Sequence, residues 1–394
     1  MRSPLKKIEY WGINVPLLQE WASSPEFGEH GHPPTGSASR YLLCVTDEEG
    51  NEGWGESTAR SSEASLKAQL QQLLAASDPF HRTALLKLTA PGHLYWERPA
   101  PPSPYTPDPA NLRHRLRNPW QHLIETALND LLAKRAGVSL AQLWGGPWRT
   151  AIEADYWMGR ASAETAKRCV LRAKELGFRG IKIKTTLEDP NVERLEAILE
   201  AGGPDWKVTV DPNGRFYRLE DALPTIRAMD AVGNMAILED PFPRFHLPEF
   251  KALRSKINAR VAVHIDPPET LWDVATSGAA GGLNISHSDQ GPTEWRMDAA
   301  LAERANLSIW HGSGLDLGIA TATQLHLAAS APNCRLPGDQ AGPWLREATL
   351  LKTAFELEDG KIKLPADGPG LGIQVDRDQI EKYTVSRHEL VGQP

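Results

Sequence analysis

The sequence predicts an α/β protein in which an α+β domain precedes a (β/α) barrel of the TIM type, and three observations carry that reading. From residue 151 onward, helical and strand-like segments alternate, the pattern of a parallel sheet that closes on itself when the units are many. Asp211, Glu239 and Asp266 each sit where a β-branched apolar run ends, 28 and 27 residues apart, which is the beat of βα repeats. The 394 residues also exceed a barrel of roughly 250 by enough to build a second domain.

Segments 8–17, 40–47 and 52–56 read as a β-meander, with Glu48-Glu49-Gly50-Asn51 as the turn between the last two. Between the first two lies 20–39, rich in Ser, Gly, Pro and His and too long for a hairpin turn; it reads as a lid or an unstructured loop. Helical patterns follow at 64–76 and, beyond the proline-dense stretch 91–109, at 119–136. The second of these ends in Lys134-Arg135-Ala136-Gly137, basic residues in the last turn followed by a glycine stop. The first domain is therefore placed at 1–146, the barrel at 147–350 and a C-terminal segment at 351–394. Within the barrel, helices 161–176, 191–201, 219–232, 247–257, 272–277, 297–305 and 320–329 precede strands 180–184, 207–211, 235–239, 260–266, 282–286, 307–311 and a weaker one near 334–336.

Lys and Arg total 43 against 50 for Asp and Glu, and the net charge of −7 gives no general basis for binding nucleic acid or an anionic membrane. Small molecules or further copies of the chain are the expected partners. The basic opening residues are not followed by the apolar run of a secretory signal, and no stretch is apolar and long enough to span a bilayer. Cys44, Cys169 and Cys334 are odd in number, far apart and set among apolar residues, so buried free thiols in a reducing cytoplasm are expected.

Strand phase selects the chemistry. In a parallel barrel one face of each strand packs on helices and the other lines the interior, with reactive groups at the C-terminal ends. Ile181 and Ile183 face the helices, so Lys182 and Lys184 face in. Val208 and Val210 put Asp211 and Asn213 inside, and Val261, Val263 and Ile265 do the same for His264 and Asp266. Three converging carboxylates without cysteine suit a hard cation, most simply Mg²⁺. Two neighbouring lysines lower each other's pKa towards the range of a general base. Lys184, nearer the strand end, is the expected base, and Lys182 is expected to contact the substrate carboxylate or a metal-bound oxygen.

Gly180-Ile181-Lys182-Ile183-Lys184, Val210-Asp211-Pro212-Asn213, Leu238-Glu239-Asp240-Pro241 and Asp367-Gly368-Pro369-Gly370-Leu371-Gly372 together resemble the enolase superfamily, in its mandelate racemase and muconate-lactonizing branch. Gly53-Trp54-Gly55-Glu56, Ala127-Leu128-Asn129-Asp130-Leu131-Leu132 and Leu143-Trp144-Gly145-Gly146 add to the ordered set, which spans nearly the whole chain. The resemblance implies a modified (β/α)₇β barrel under a capping domain built from both chain termini. It also implies Mg²⁺ on a substrate carboxylate, abstraction of the α-proton to an enediolate, and homo-oligomeric assembly. A lysine or histidine base working beside Mg²⁺ is the established pattern of that superfamily.

His311 falls where racemase-type members of that family hold an acid/base histidine. At the end of strand six, where members carry a lysine or an aspartate, this sequence has Ser286. Two-lysine chemistry and a full His-Asp dyad are both incomplete, with Asp339 the candidate replacement partner for His311. One base and one histidine acid are the minimal set for losing water, so acid-sugar dehydration is the leading expectation. Racemisation or epimerisation of a hydroxy acid is the alternative, and a degenerate barrel that keeps its metal only for folding is a third. His30 and His32 in the 20–39 loop, together with Trp54, are expected to reach the substrate over the barrel mouth.

Overall fold

The structure is a computed structural model that describes residues 5–18, 39–58, 62–76, 78–80, 119–265, 270–286 and 291–392. β1 (Leu5–Ile13), β2 (Arg40–Asp47) and β3 (Glu52–Glu56) form an antiparallel sheet. The C-terminal strand β14 (Thr384–Val391) joins its edge beside β1, giving the order β14-β1-β2-β3. The two ends of the chain thus share one sheet. β2 is buried on both faces: Leu43 and Val45 pack towards α1 (Glu63–Leu74) and α2 (Gln121–Ala136), while Leu42 and Cys44 join the larger core continuous with the barrel. β14 alternates between half-buried and exposed residues, as an edge strand does.

The two glycines of β3 exist for close packing. A Cβ on Gly53 would lie 2.1 Å from the Ala127 carbonyl oxygen and one on Gly55 2.1 Å from that of Leu123, so α2 lies directly on the strand backbone. α2 ends at Gly137, whose φ of 70° supplies the left-handed stop. Asp130 of α2 then receives the amides of Trp54 at 2.9 Å and Leu371 at 2.8 Å, tying β3 to the C-terminal loop.

After α3 (Leu140–Leu143) and β4 (Ala151–Glu153) come the seven parallel strands of the second unit. They are β5 (Tyr156–Met158), β6 (Gly180–Lys184), β7 (Lys207–Asp211), β8 (Met235–Glu239), β9 (Arg260–Ile265), β10 (Gly282–Ile285) and β11 (Ser308–Trp310), paired in chain order. The helices between them are α4 (Ala163–Leu176), α5 (Asn191–Gly202), α6 (Leu219–Val232), α7 (Leu247–Leu253), α8 (Thr270–Ser277) and α9 (Pro292–Arg304). α10 (Gly318–Ser330) and α11 (Gly342–Leu345) follow; β12 (Leu357–Glu358) pairs with β13 (Lys361–Lys363), which pairs with β4, and α12 (Arg377–Tyr383) leads into β14.

The weak strand expected near 334–336 is not a strand. The ring is closed there by two isolated parallel bridges, Ile309 to Cys334 and Ala154 to Gly338. α9 begins earlier than its apolar period suggests, at Pro292 behind Gly291, because proline at the first helical position needs no amide partner. All three cysteines are buried and unbridged, and burial pushes the Cys169 and Cys334 thiols up to about 12. Among the described residues no helix is long and apolar enough to cross a membrane.

Two carboxylates of the first unit fix it onto the barrel. Glu56 accepts the amides of Leu317 at 2.7 Å and Ala320 at 2.8 Å at the start of α10, and Glu125 accepts the Thr293 amide at 3.0 Å at the start of α9. Each places a negative side chain at the positive end of a helix. Burial, and then the charge of Asp316, push Glu56 up to about 7.

Candidate active site

The structure keeps the strand phase read from the sequence. Ile181, Ile183, Val208, Val210, Val261, Val263 and Ile265 all lie in the helix-facing core, while Ile237, Ala262 and Trp310 form a small separate cluster inside the barrel. The side chains of Lys182, Asp211 and Glu239 meet inside. Lys182 Nζ lies 2.7 Å from Glu239 Oε2 and 3.3 Å from both Asp211 Oδ2 and Asp339 Oδ2, while Lys184 Nζ pairs with Asp211 Oδ2. Lys184 is held at the strand end by its own carbonyl, which accepts from the wholly buried Arg194 at 2.9 Å.

Charge sets the protonation states. Burial works against a charged Lys182, but Asp339, Glu239 and Asp211 outweigh it and raise its pKa well above the ordinary lysine value. The mutual depression expected for the two lysines is therefore overturned at Lys182, because three carboxylates pair with it directly. Burial would raise Asp211, yet the Lys184 and Lys182 ammonium groups hold it well below the usual carboxylate range. Glu239 is pushed up to about 7 by burial and by the charge of Asp211.

A hydrogen-bonded arc crosses the ends of β8, β9 and β10. Arg244 donates from Nε to Asp240 at 2.6 Å and its Nη2 lies 3.0 Å from His264 Nδ1. Arginine is only a donor, so Nδ1 accepts and the proton of the ring sits on Nε2, which points at the Ser286 carbonyl 2.5 Å away. Ser286 Oγ donates to Asn284 Oδ1 at 3.0 Å, and Asn284 Nδ2 donates to Glu239 Oε1 at 2.7 Å. Asn284, Arg244 and Asp240 were not singled out from the sequence. The alternation of Leu283 and Ile285 already turns Asn284 inward; nothing local marks Arg244, which reaches the arc from a loop.

The remaining expected site residues separate into three groups. Asp339 reaches the cluster through its ion pair with Lys182. His264 lines the site, and Asn213 sits exposed in a left-handed turn, with φ of 50°, from which its amide donates to Asp211 Oδ1 at 3.0 Å. Two expectations are corrected. His311 follows the alternation of Ile309 to the helix side: its ring stacks on Trp295 of α9, centroids 5.2 Å apart, and its Nδ1 lies 2.6 Å from the Gly312 carbonyl. Trp54 stacks on Trp11 at 5.7 Å under the Arg377 guanidinium, which makes it part of the packing of the first unit. Asp266, His30 and His32 lie outside the described residues.

The donors at the strand ends are carboxylate oxygens, a set that fits a hard divalent cation. Among the described residues, buried Glu239 Oε2 makes no hydrogen bond and is met by the Lys182 ammonium, so it has capacity for a cation. Glu239, Asp240 and His264 also bring ligand-type atoms within 4.8 Å of one another.

The family model described as enolase C-terminal domain-like matches residues 164–379, more than half of the chain. The chloromuconate cycloisomerase of Pseudomonas putida is 29% identical over 273 residues, covering 66% of this chain and 71% of that protein. The o-succinylbenzoate synthase of Geobacillus stearothermophilus is 27% identical over 372 residues, covering 87% and 88%. Among solved structures, the N-succinyl Arg/Lys racemase from Bacillus cereus superposes with a TM-score of 0.77 at 19% identity, over 99% of this chain and 100% of that one, which is a likeness of fold. The chain belongs to the enolase superfamily, in its mandelate racemase and muconate-lactonizing branch.

Proposed function

We propose that this protein is an enzyme that removes the α-proton of a small carboxylate with Lys184, at a Mg²⁺ site drawn from Asp211, Glu239 and Asp266, and that the resulting enediolate loses water from the neighbouring carbon. An acid sugar is the substrate class that fits best. The observation that carries the reading is the convergence of Lys182 and Lys184, neighbours on one inward face of β6, on Asp211 and Glu239. Bound Mg²⁺ supplies positive charge to the carboxylate oxygens, which lowers the cost of the second negative charge developing as the proton leaves.

The chain's own groups do the rest. Lys184, half-buried at the strand end, is placed to take the proton, and Arg194 fixes the backbone beneath it. Lys182 stays charged among the carboxylates and offsets negative charge at the site. On the arc opposite, both ring nitrogens of His264 and the hydroxyl of Ser286 are engaged, and His311 faces away. Racemisation needs a second acid on the opposite face of the enediolate, whereas elimination needs a proton for the leaving hydroxyl, and a syn elimination can use the one that Lys184 has just taken from the α-carbon. Among the described residues this arrangement favours elimination, and racemisation or epimerisation is the second outcome to test for.

The test is incubation with Mg²⁺ and a panel of acid sugars and other hydroxy carboxylates in D₂O, followed by proton NMR. A 2-keto product lacking one water supports elimination. Deuterium at the α-carbon with all hydroxyls retained assigns racemisation instead, and silence across the panel points to a barrel that binds metal without catalysis.

A further inference from the structure

Lys182 has three carboxylate partners, but only two of them belong to the proposed cation site. The third, Asp339, comes from the loop that closes the barrel between β11 and β5. It is built into place: the Ser313 amide donates to its Oδ1 at 2.8 Å and the Ser313 hydroxyl to its carbonyl at 2.6 Å, leaving Oδ2 for Lys182 at 3.3 Å. The loop carrying Ser313 is itself pinned, by Arg40 Nη2 on the Gly314 carbonyl at 2.6 Å and Arg346 Nε on the Leu315 carbonyl at 2.6 Å. Leu315 in that loop holds a left-handed φ of 55°.

We propose that Asp339 is a positioning residue: it retains the Lys182 ammonium when a divalent cation engages Asp211 and Glu239, and so lets the cation bind beside a buried positive charge. The inference rests on the metal site of the function proposed above. A dication that draws those two carboxylates to itself removes two of the three anions around Lys182 and adds repulsion at short range in a poorly screened interior. Among the described residues, Asp339 is the ion-paired carboxylate left to the lysine. Without it, Lys182 competes with the cation for Asp211 and Glu239.

The test is Mn²⁺ binding to the full chain, read from the loss of the free-ion EPR signal. The unsubstituted protein binds; Asp339→Asn binds about tenfold more weakly or worse. Lys182→Met binds at least as tightly as the unsubstituted protein, and Lys182→Met with Asp339→Asn matches Lys182→Met within about twofold, because the coupling disappears with the lysine. If Asp339→Asn alone fails to fold, the last comparison decides, since the double substitution removes both buried charges together. Unchanged affinity in Asp339→Asn, or an equal loss with and without Lys182, overturns the inference while leaving the metal site standing. No Mn²⁺ binding by the unsubstituted protein removes the metal site, and the inference with it.

Discussion

Lys182 and Glu239 form a buried ion pair, Nζ to Oε2 at 2.7 Å, that reaches from β6 to β8 across the intervening β7. An ammonium so placed marks where the barrel concentrates negative charge. Glu239 meets Asp211 across the Lys182 ammonium and also lies beside Asp240 and His264, their ligand-type atoms within 4.8 Å of one another. Glu239→Gln is expected to weaken Mg²⁺ binding by about tenfold or more, measured by calorimetric titration; unchanged affinity would remove Glu239 from the site.

Lys184→Ala is expected to lower α-proton removal by about 10²- to 10⁴-fold, the range of a lost general base. Mg²⁺ affinity should persist, since Lys184 is a partner of Asp211 and no ligand. Solvent exchange and metal titration on the same preparation check both halves.

His311 serves packing. Because its ring stacks on Trp295 and is buried between β11 and α9, His311→Ala is expected to cost about 1–3 kcal/mol in urea unfolding. His311→Phe keeps the stack and should retain activity. Loss of turnover in a well-folded His311→Phe would return the histidine to the reaction.

Acid sensitivity should come in part from His326, far from the chemistry. Its Nδ1 accepts the Ala141 amide at 3.3 Å and its Nε2 donates to the Leu371 carbonyl at 3.0 Å, so a second proton has no acceptor. Burial lowers its pKa to about 4 from 6.5. The unfolded chain therefore binds more protons between these values, and the stability this neutral ring contributes is complete above pH 6.5 and lost as pH falls towards 4. The loss amounts to about 3 kcal/mol. Urea unfolding at stepped pH should show that loss in the parent and a correspondingly shallower one in His326→Gln.

Arg40 is 4% exposed at its side chain and sits 3.1 Å from Asp316, joining the first sheet to the loop after β11. Arg40→Met leaves that aspartate buried without its cation, and about 3–5 kcal/mol of stability should be lost. A variant that unfolds at the parent's urea midpoint would show that Gln324 and the Gly314 amide suffice for Asp316.

The fold and part of the site were legible in the sequence because strand alternation has a strict period of two. Apolar runs at β6, β7 and β9 fixed which neighbours face inward, and the structure keeps that phase. His311 shows the limit. Its expected role came from the resemblance, whereas Ile309 packs on the helices and the period of two carries His311 to the same side. Trp54 misled because it was grouped with the 20–39 loop over the mouth, whereas the glycines on either side of it serve the approach of α2 and its ring packs on Trp11. Asp339 and Arg244 reach the site from loops, where no period assigns a direction, and the pairing of Lys182 with three carboxylates needs the closed ring.

Lys184 as the base that starts a loss of water is tested most directly by the D₂O incubation with Mg²⁺ and hydroxy carboxylates, comparing the parent with Lys184→Ala by proton NMR. The expected result is a substrate that the parent converts to a 2-keto acid with loss of water and that Lys184→Ala leaves untouched. A parent and a Lys184→Ala variant that convert it equally fast would contradict that role.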